Sequence, residues 1–161
     1  MANTKVTIDF RPFEDQLRAI EEAGGSVRPY VSECLNEIQR EINQELRKAM
    51  APHRGKHSGH HTVDSIIELK AAWKDDVCTI DLGFDIANGG LASIFLMYGT
   101  KPHGPRGVNG TGHPGTKPDQ HLKNAIFGTA VRARILKLQE EALAKASQEI
   151  LGGGANGSGP G

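Results

Sequence analysis

Between Val27 and Met50 apolar side chains return every three or four residues, at Val27, Tyr30, Val31, Cys34, Leu35, Ile38, Ile42, Leu46, Ala49 and Met50. That spacing gathers them on one face of an α-helix; a strand, whose side chains alternate sides, would split the set between two surfaces. Ser26 stands where an N-cap hydroxyl accepts from the first turn, Pro29 is tolerated in that turn, and Pro52 disfavours helical geometry at Ala51. The sequence therefore predicts a long amphipathic helix ending near Met50. Its broad apolar face requires a second layer to cover it.

A second helix of the same kind is predicted near the other end. Asp119 is its N-cap, and Leu122, Ala125, Ile126, Ala130, Val131, Ile135, Leu138, Ala142, Leu143, Ala146 and Ile150 form its apolar face. Lys137, Glu141, Lys145 and Glu149 follow at steps of four on the opposite side, the spacing of intrahelical ion pairs. Between the two helices the period changes to two. Ile67, Leu69, Ala71 and Trp73 alternate with polar residues, Asp75 and Asp76 make a turn, and Cys78, Ile80, Leu82 and Phe84 alternate again, which reads as a β-hairpin. Leu91 to Tyr98 reads as a short helix with Gly99 as a left-handed C-cap in preference to a buried strand, and Phe13, Leu17 and Ile20 mark another helix over Pro12 to Ala23, ended by Gly24 and Gly25. Val6 to Phe10 alternates weakly, as an edge strand would. Without alternating β and α units, the expected class is α+β, long amphipathic helices packed on a small antiparallel sheet. So small a sheet leaves edges exposed to other chains, and self-association follows as an expectation.

Glycine and proline divide the rest. Of 20 glycines, 11 lie in Lys101 to Pro118 and Gly152 to Gly161, so the core must come from elsewhere. Lys101 to Pro118 has hardly an apolar side chain and is expected to be a long mobile loop (101–118). Residues 1–151 then form a single domain, and 152–161 a flexible Gly-rich tail. Lysine plus arginine equals aspartate plus glutamate at 19 each, which leaves no overall basic footprint for phosphate-dominated nucleic-acid binding. No run approaches the ~18 apolar residues of a membrane span. Cys34 and Cys78 sit inside apolar patterns, and the N-terminus lacks a signal-peptide pattern; free thiols in a reducing compartment are expected.

Chemistry has few places to reside. His53, His57, His60 and His61 offer four imidazoles within nine residues, and imidazole binds zinc, copper or nickel. Their spacing matches no standard zinc motif and no cysteine accompanies them, so a solvated loop is the stronger reading and a His-cluster metal-binding module the alternative. Cys34 lies on the helix's apolar stripe, where packing is its role, and no nucleophile elbow surrounds Ser65. Lys101 to Gly115 lacks the Gly-Lys-Ser or Gly-Lys-Thr ending of a P-loop. Arg132, Arg134, Lys137 and Lys145 alternate with Glu140, Glu141 and Glu149, as a solvated face does, rather than forming a DNA-facing surface. Base, nucleophile and orienting group do not assemble into one constellation, which disfavours a small hydrolase. Neither catalytic residues nor a cofactor are expected.

The order of short motifs points further. Ala51-Pro52, then Thr62 and Asp64-Ser65-Ile66 before a hairpin, then Phe95-Leu96-Met97-Tyr98-Gly99-Thr100, then Lys117-Pro118-Asp119 with His121-Leu122-Lys123-Asn124-Ala125, resembles the lambdoid tailed-phage family labelled putative tail component. The resemblance spans roughly Val27 to Ile150. Two departures accompany it: Met97 stands where the family often has glutamate, and the histidine-rich insert replaces a simpler Thr-Gly turn. What the resemblance implies is a structural subunit of the head-tail connection, a tail-completion, tail-terminator or neck protein. Its partners would be further copies of itself in a hexameric ring, the stopper or connector protein and the tail-tube protein, with passive contact to DNA in the channel and none to membrane. It would be assembled in the bacterial host cytoplasm and reside in the virion neck or tail. Within that class the alternative is a portal-side stopper or adaptor. The interface candidates are Tyr98, Gly99, Thr100, Lys101 and Pro118.

Overall fold

The predicted helix over the first apolar stripe is the spine around which the rest is arranged. In the computed structural model, which describes residues 8–55, 61–102, 104, 112 and 114–153, α1 is Glu14–Glu22, α2 is Arg28–Met50, α3 is Leu91–Tyr98, α4 is Gln120–Phe127 and α5 is Thr129–Leu151. Strands β1 (Ala72–Lys74) and β2 (Val77–Thr79) form a two-stranded antiparallel sheet. The fold is α+β.

Along α2, Val31, Cys34, Leu35, Ile38, Ile42, Leu46, Ala49 and Met50 are buried, the stripe read from the sequence. α4 and α5 cover one side of it, contributing Leu122, Ala125, Ile126 and Leu138 to the same core, and α1 packs on α5 through the fully buried Ile20. A fully buried leucine or isoleucine contributes about 1.5–3 kcal/mol, and α2 alone supplies eight of the buried apolar side chains. Burial also pushes the Cys34 thiol up to about 11. Since only the thiolate is nucleophilic, at pH 8 roughly one Cys34 in a thousand is reactive. Cys34 and the half-buried Cys78 are both free. A thiol reagent at pH 8 is therefore expected to modify Cys78 readily and Cys34 only on denaturation; two equally fast thiols in the native protein would contradict this packing.

Several expectations are corrected. Ser26 does not cap α2: Val27 occupies the N-cap and no side chain caps it, while Pro29 sits in the first turn as predicted. Ile8 to Phe10 is not a strand, and residues 6 and 7 lie outside the described residues. The C-terminal helix is not continuous. Gly128 takes φ −67° and ψ 156°, ending α4 and starting α5, because glycine has the least to lose by leaving a helix and a Cβ there would stand 2.5 Å from the Asn124 carbonyl oxygen. Along α5, Lys137 pairs with Glu141 at 3.8 Å, and Arg134 meets the same carboxylate at 3.7 Å. Lys145 reaches Glu33 of α2 at 3.1 Å, and Glu149 accepts from the Tyr30 hydroxyl at 2.7 Å, so these charges tie α5 to α2.

The hairpin is the largest departure. Only Ala72–Thr79, Trp73–Cys78 and Lys74–Val77 pair as strands, and further down Ile66 meets Phe84 as an isolated bridge. The two pairings differ by one residue in register, so the chain opens between them. Amides on α2 fill the opening. Asn36 Oδ1 accepts from the Ala71 N–H at 2.8 Å, Gln39 Nε2 donates to the Asp81 carbonyl at 2.7 Å, and Asn43 Nδ2 donates to the Ile67 carbonyl at 2.8 Å. Ser32 continues the row by accepting from the Trp73 indole N–H at 2.6 Å, and the Arg28 guanidinium lies 4.8 Å from that ring's centre. Steps of three and four along α2 thus supply, from side chains, the hydrogen bonds that a longer ladder would have made.

Candidate interface

The motifs that carry the resemblance converge beyond the C-terminus of α2. After Met50 the chain makes a turn over Ala51–His53, and His53 Nε2 lies 2.5 Å from Asp119 Oδ2. Asp119 also caps α4, accepting from the Leu122 N–H at 3.0 Å, and its own N–H donates to the Leu96 carbonyl at 2.7 Å. The turn Thr62–Ser65 packs against α3, and Ser65 accepts through its carbonyl from the Asp85 N–H. One residue, Asp119, therefore joins the turn after α2 and the start of α4 through its carboxylate and the end of α3 through its backbone N–H.

The cap bond from Leu122 and then the His53 contact hold the Asp119 carboxyl below the usual carboxylate range. A depressed folded value means that the stabilisation is present above the unfolded value, near 3.9, and is lost as pH falls through the folded one. Asp119→Ala is expected to cost about 1–2 kcal/mol at pH 7, as loss of a helix cap does. The difference from wild type should begin to shrink below about pH 4, where Asp119 of the unfolded chain takes up a proton, and go on shrinking as pH falls through the lower folded value. Urea unfolding of both proteins at pH 7 and pH 3 checks this, and a pH-independent difference would contradict the cap.

Apart from Ser93, α3 is apolar around its circumference, and only one face is buried. Ser93 and Met97 point into the protein, where the Ser93 hydroxyl donates to the Gly90 carbonyl at 2.6 Å. On the opposite face Leu91, Phe95 and Tyr98 are 44%, 48% and 55% exposed. Positions i, i+4 and i+7 share one helical face, so the three make a continuous stripe two turns long. Lys123 of α4 lies 5.4 Å from the centre of the Tyr98 ring and edges the stripe with positive charge.

Immediately after α3 the chain is clasped. Thr100 and Thr116 exchange backbone hydrogen bonds of 2.9 and 3.1 Å, and the Thr116 N–H also reaches the Thr100 hydroxyl at 3.0 Å. Gly99 is not the left-handed C-cap expected: its φ of 71° is positive but its ψ of 173° is extended, which turns the chain away from the helix toward Thr116. Of the interface residues read from the sequence, Tyr98 belongs to the stripe, Gly99 and Thr100 to the clasp, and Lys101 and Pro118 are exposed beside it. Half of the 101–118 loop lies outside the described residues. Leu91, Phe95 and Lys123 were missed, although an apolar run with a single serine and large side chains at 91, 95 and 98 carries the signal.

Among the described residues the other candidate groups do not assemble into a site. His57 and His60 lie outside the described residues; His53 is engaged by Asp119, and the His61 N–H donates to Asp64. Among the described residues no three His, Cys, Asp or Glu side chains are grouped to hold a metal ion. Arg134 makes a two-pronged pair with Glu41, at 2.6 and 2.8 Å, lowering the Glu41 carboxyl through those hydrogen bonds. Ser65 donates its hydroxyl to the Thr62 carbonyl, a local turn bond. No described helix is long and apolar enough to cross a membrane. Compared with protein-family models, curated proteins and solved structures, the chain finds no match.

Proposed function

We propose that this chain is a structural subunit of the head-tail connection of a tailed bacteriophage, a tail-completion, terminator or neck protein that works by forming a ring between tail and head. The observation that carries the reading is the uncovered stripe Leu91, Phe95 and Tyr98, on the helix that leads into the Gly99-Thr100 motif of the resemblance. Contiguous exposed apolar surface of this kind marks sites of protein association. The clasp between Thr100 and Thr116, and the junction at Asp119, give that helix a fixed placement, as an assembly surface needs. The role calls for surfaces, with ring neighbours and the stopper and tail-tube proteins as partners, and for no chemistry.

The test is composition. In purified particles of the phage or prophage whose genome encodes this chain, quantitative mass spectrometry should find it in about six copies per virion, the number a sixfold ring sets by symmetry. Its absence from mature particles would overturn the reading.

A further inference from the structure

We infer that residues 1–7, which lie outside the described residues, dock along the free edge of β2 as a third strand of the sheet. This inference does not depend on the connector reading. The site is a groove of about 950 Å³ between α1, α2 and β2. Its apolar lining is half-buried rather than sealed in the core: Ile8, Phe10, Leu17, Val27, Trp73 and Ile80 all keep exposed surface. Of the charges around it, Arg18 is paired with Glu14 and Arg28 with Asp76, whereas Glu21 and Asp81 make no ion pair among the described residues. The groove therefore offers apolar surface with two uncompensated carboxylates. One side of it is also an open sheet edge. The hairpin turns over two residues, so the closing pair Lys74–Val77 exchanges its own hydrogen bonds, and Cys78 in the next pair directs its N–H and carbonyl to the other side. Among the described residues no strand lies there. An extended segment laid along that edge would accept from the Cys78 N–H and donate to its carbonyl, as in strand addition.

Three observations select the chain's own N-terminal segment as the occupant. The first is attachment. Ile8 and Phe10 already line the groove, and Gln139 of α5 holds the chain between them by donating to the Asp9 carbonyl at 2.9 Å. Residues 4–8 match Val77 to Asp81 in length, roughly 13 Å at about 3.3 Å per residue, so the segment starts at the rim and is long enough. A segment tethered this closely acts at an effective concentration on the order of millimolar, ahead of any free chain. The second is pattern. Alternation carried back from Ile8 and Phe10 puts Thr4 and Val6 on the groove side and Lys5 and Thr7 on the other. β2 divides in the same way, with Cys78 and Ile80 half-buried and Val77 and Thr79 exposed. The third is charge. Lys5 is the one charged side chain of residues 1–7, and by this alternation it falls on the face of Val77, Thr79 and Asp81, where it complements the free Asp81 carboxylate. Docked there, the segment also shields β2 from pairing with other chains.

The test uses the native Cys78 thiol as a proximity probe in the full chain. Neighbouring strands lie about 4.8 Å apart, within reach of a disulfide. Single variants Thr4→Cys, Val6→Cys, Lys5→Cys and Thr7→Cys are oxidised at high dilution, and the products are read by peptide mass spectrometry and a non-reducing gel. At least one of the inward pair, Thr4→Cys or Val6→Cys, is expected to form a disulfide to Cys78 within one chain, and the outward pair to stay reduced. Free thiols in both inward variants would overturn the inference, as would equal crosslinking of all four. Crosslinks that join two copies at this dilution would overturn it in favour of an exchanged arm. A second measurement needs no new thiol. A short strand opens and closes, so Cys78 remains the reactive thiol of the native protein, and its alkylation rate reports how often the edge is uncovered. Val6→Asp is expected to raise that rate several-fold while Cys34 stays unmodified, which shows that the core is intact; if Cys34 opens as well, Val6→Ala takes its place. An unchanged Cys78 rate would contradict docking at β2.

Discussion

Gly99→Val is expected to destabilise the protein by at least about 3 kcal/mol, a cost drawn from two sources that act together. The first is backbone. At φ 71° and ψ 173°, Gly99 occupies a region that is essentially confined to glycine. The second is space. A Cβ at this position would stand 2.5 Å from the Thr116 carbonyl oxygen and 2.8 Å from Pro118 Cδ. Neither neighbour is a yielding side chain: one is the backbone of the Thr100–Thr116 bridge, the other a proline ring next to the α4 cap. Relief would require opening the clasp and shifting Asp119, and with it the contact to His53. Gly153→Ala is the control, because nothing lies within 4 Å of a Cβ there, and a surface change of that kind stays within about 0.5 kcal/mol. Urea unfolding that found both variants equal to wild type would show that the chain does not turn at Gly99 in this way.

Replacing Asn36, Gln39 and Asn43 together by alanine should cost about 3 kcal/mol, and the loss should fall first on the hairpin. Each amide serves a backbone group that the opened ladder leaves without a partner. The three are not equal. Asn43 satisfies the buried Ile67 carbonyl, but its own Oδ1 is buried without a partner among the described residues, which offsets part of its contribution. Gln39 and Asn36 are expected to matter more. Hydrogen exchange gives the specific reading: the Ala71 amide, which donates to Asn36, should lose protection well before amides in the middle of α2. Uniform loss through the whole protein would mean that the amides act only on global stability.

These two sites also show where the sequence was legible. Periodicity placed α2 closely because its stripe is long and uninterrupted, and apolar burial dominates the energetics of such an element. The same method joined α4 and α5, since the apolar pattern passes through Gly128 with only a local gap while the backbone at that one residue turns extended. It lengthened the hairpin, because Leu69, Ala71, Ile80 and Leu82 alternate as strand residues do, whereas the partners of that backbone are amides 24 to 42 positions upstream. Asn36, Gln39 and Asn43 share a face of α2 and were legible as a polar row, but nothing local says that such a row faces a backbone. At the candidate interface the glycine at position 99 was recognised and its ψ was not, because ψ is set by Thr116, seventeen residues away in the chain. His53 and Asp119 are further apart still, and their pairing emerges only once α2 and α4 are packed.

The most direct test of the connector account is electron microscopy of a lysate in which this gene is disabled, beside a complemented control. A ring subunit between tail and head predicts separate DNA-filled heads and tails, with complementation restoring joined particles; abnormally long tails would assign it specifically to tail termination. Intact, infectious virions in the disabled lysate would contradict the account.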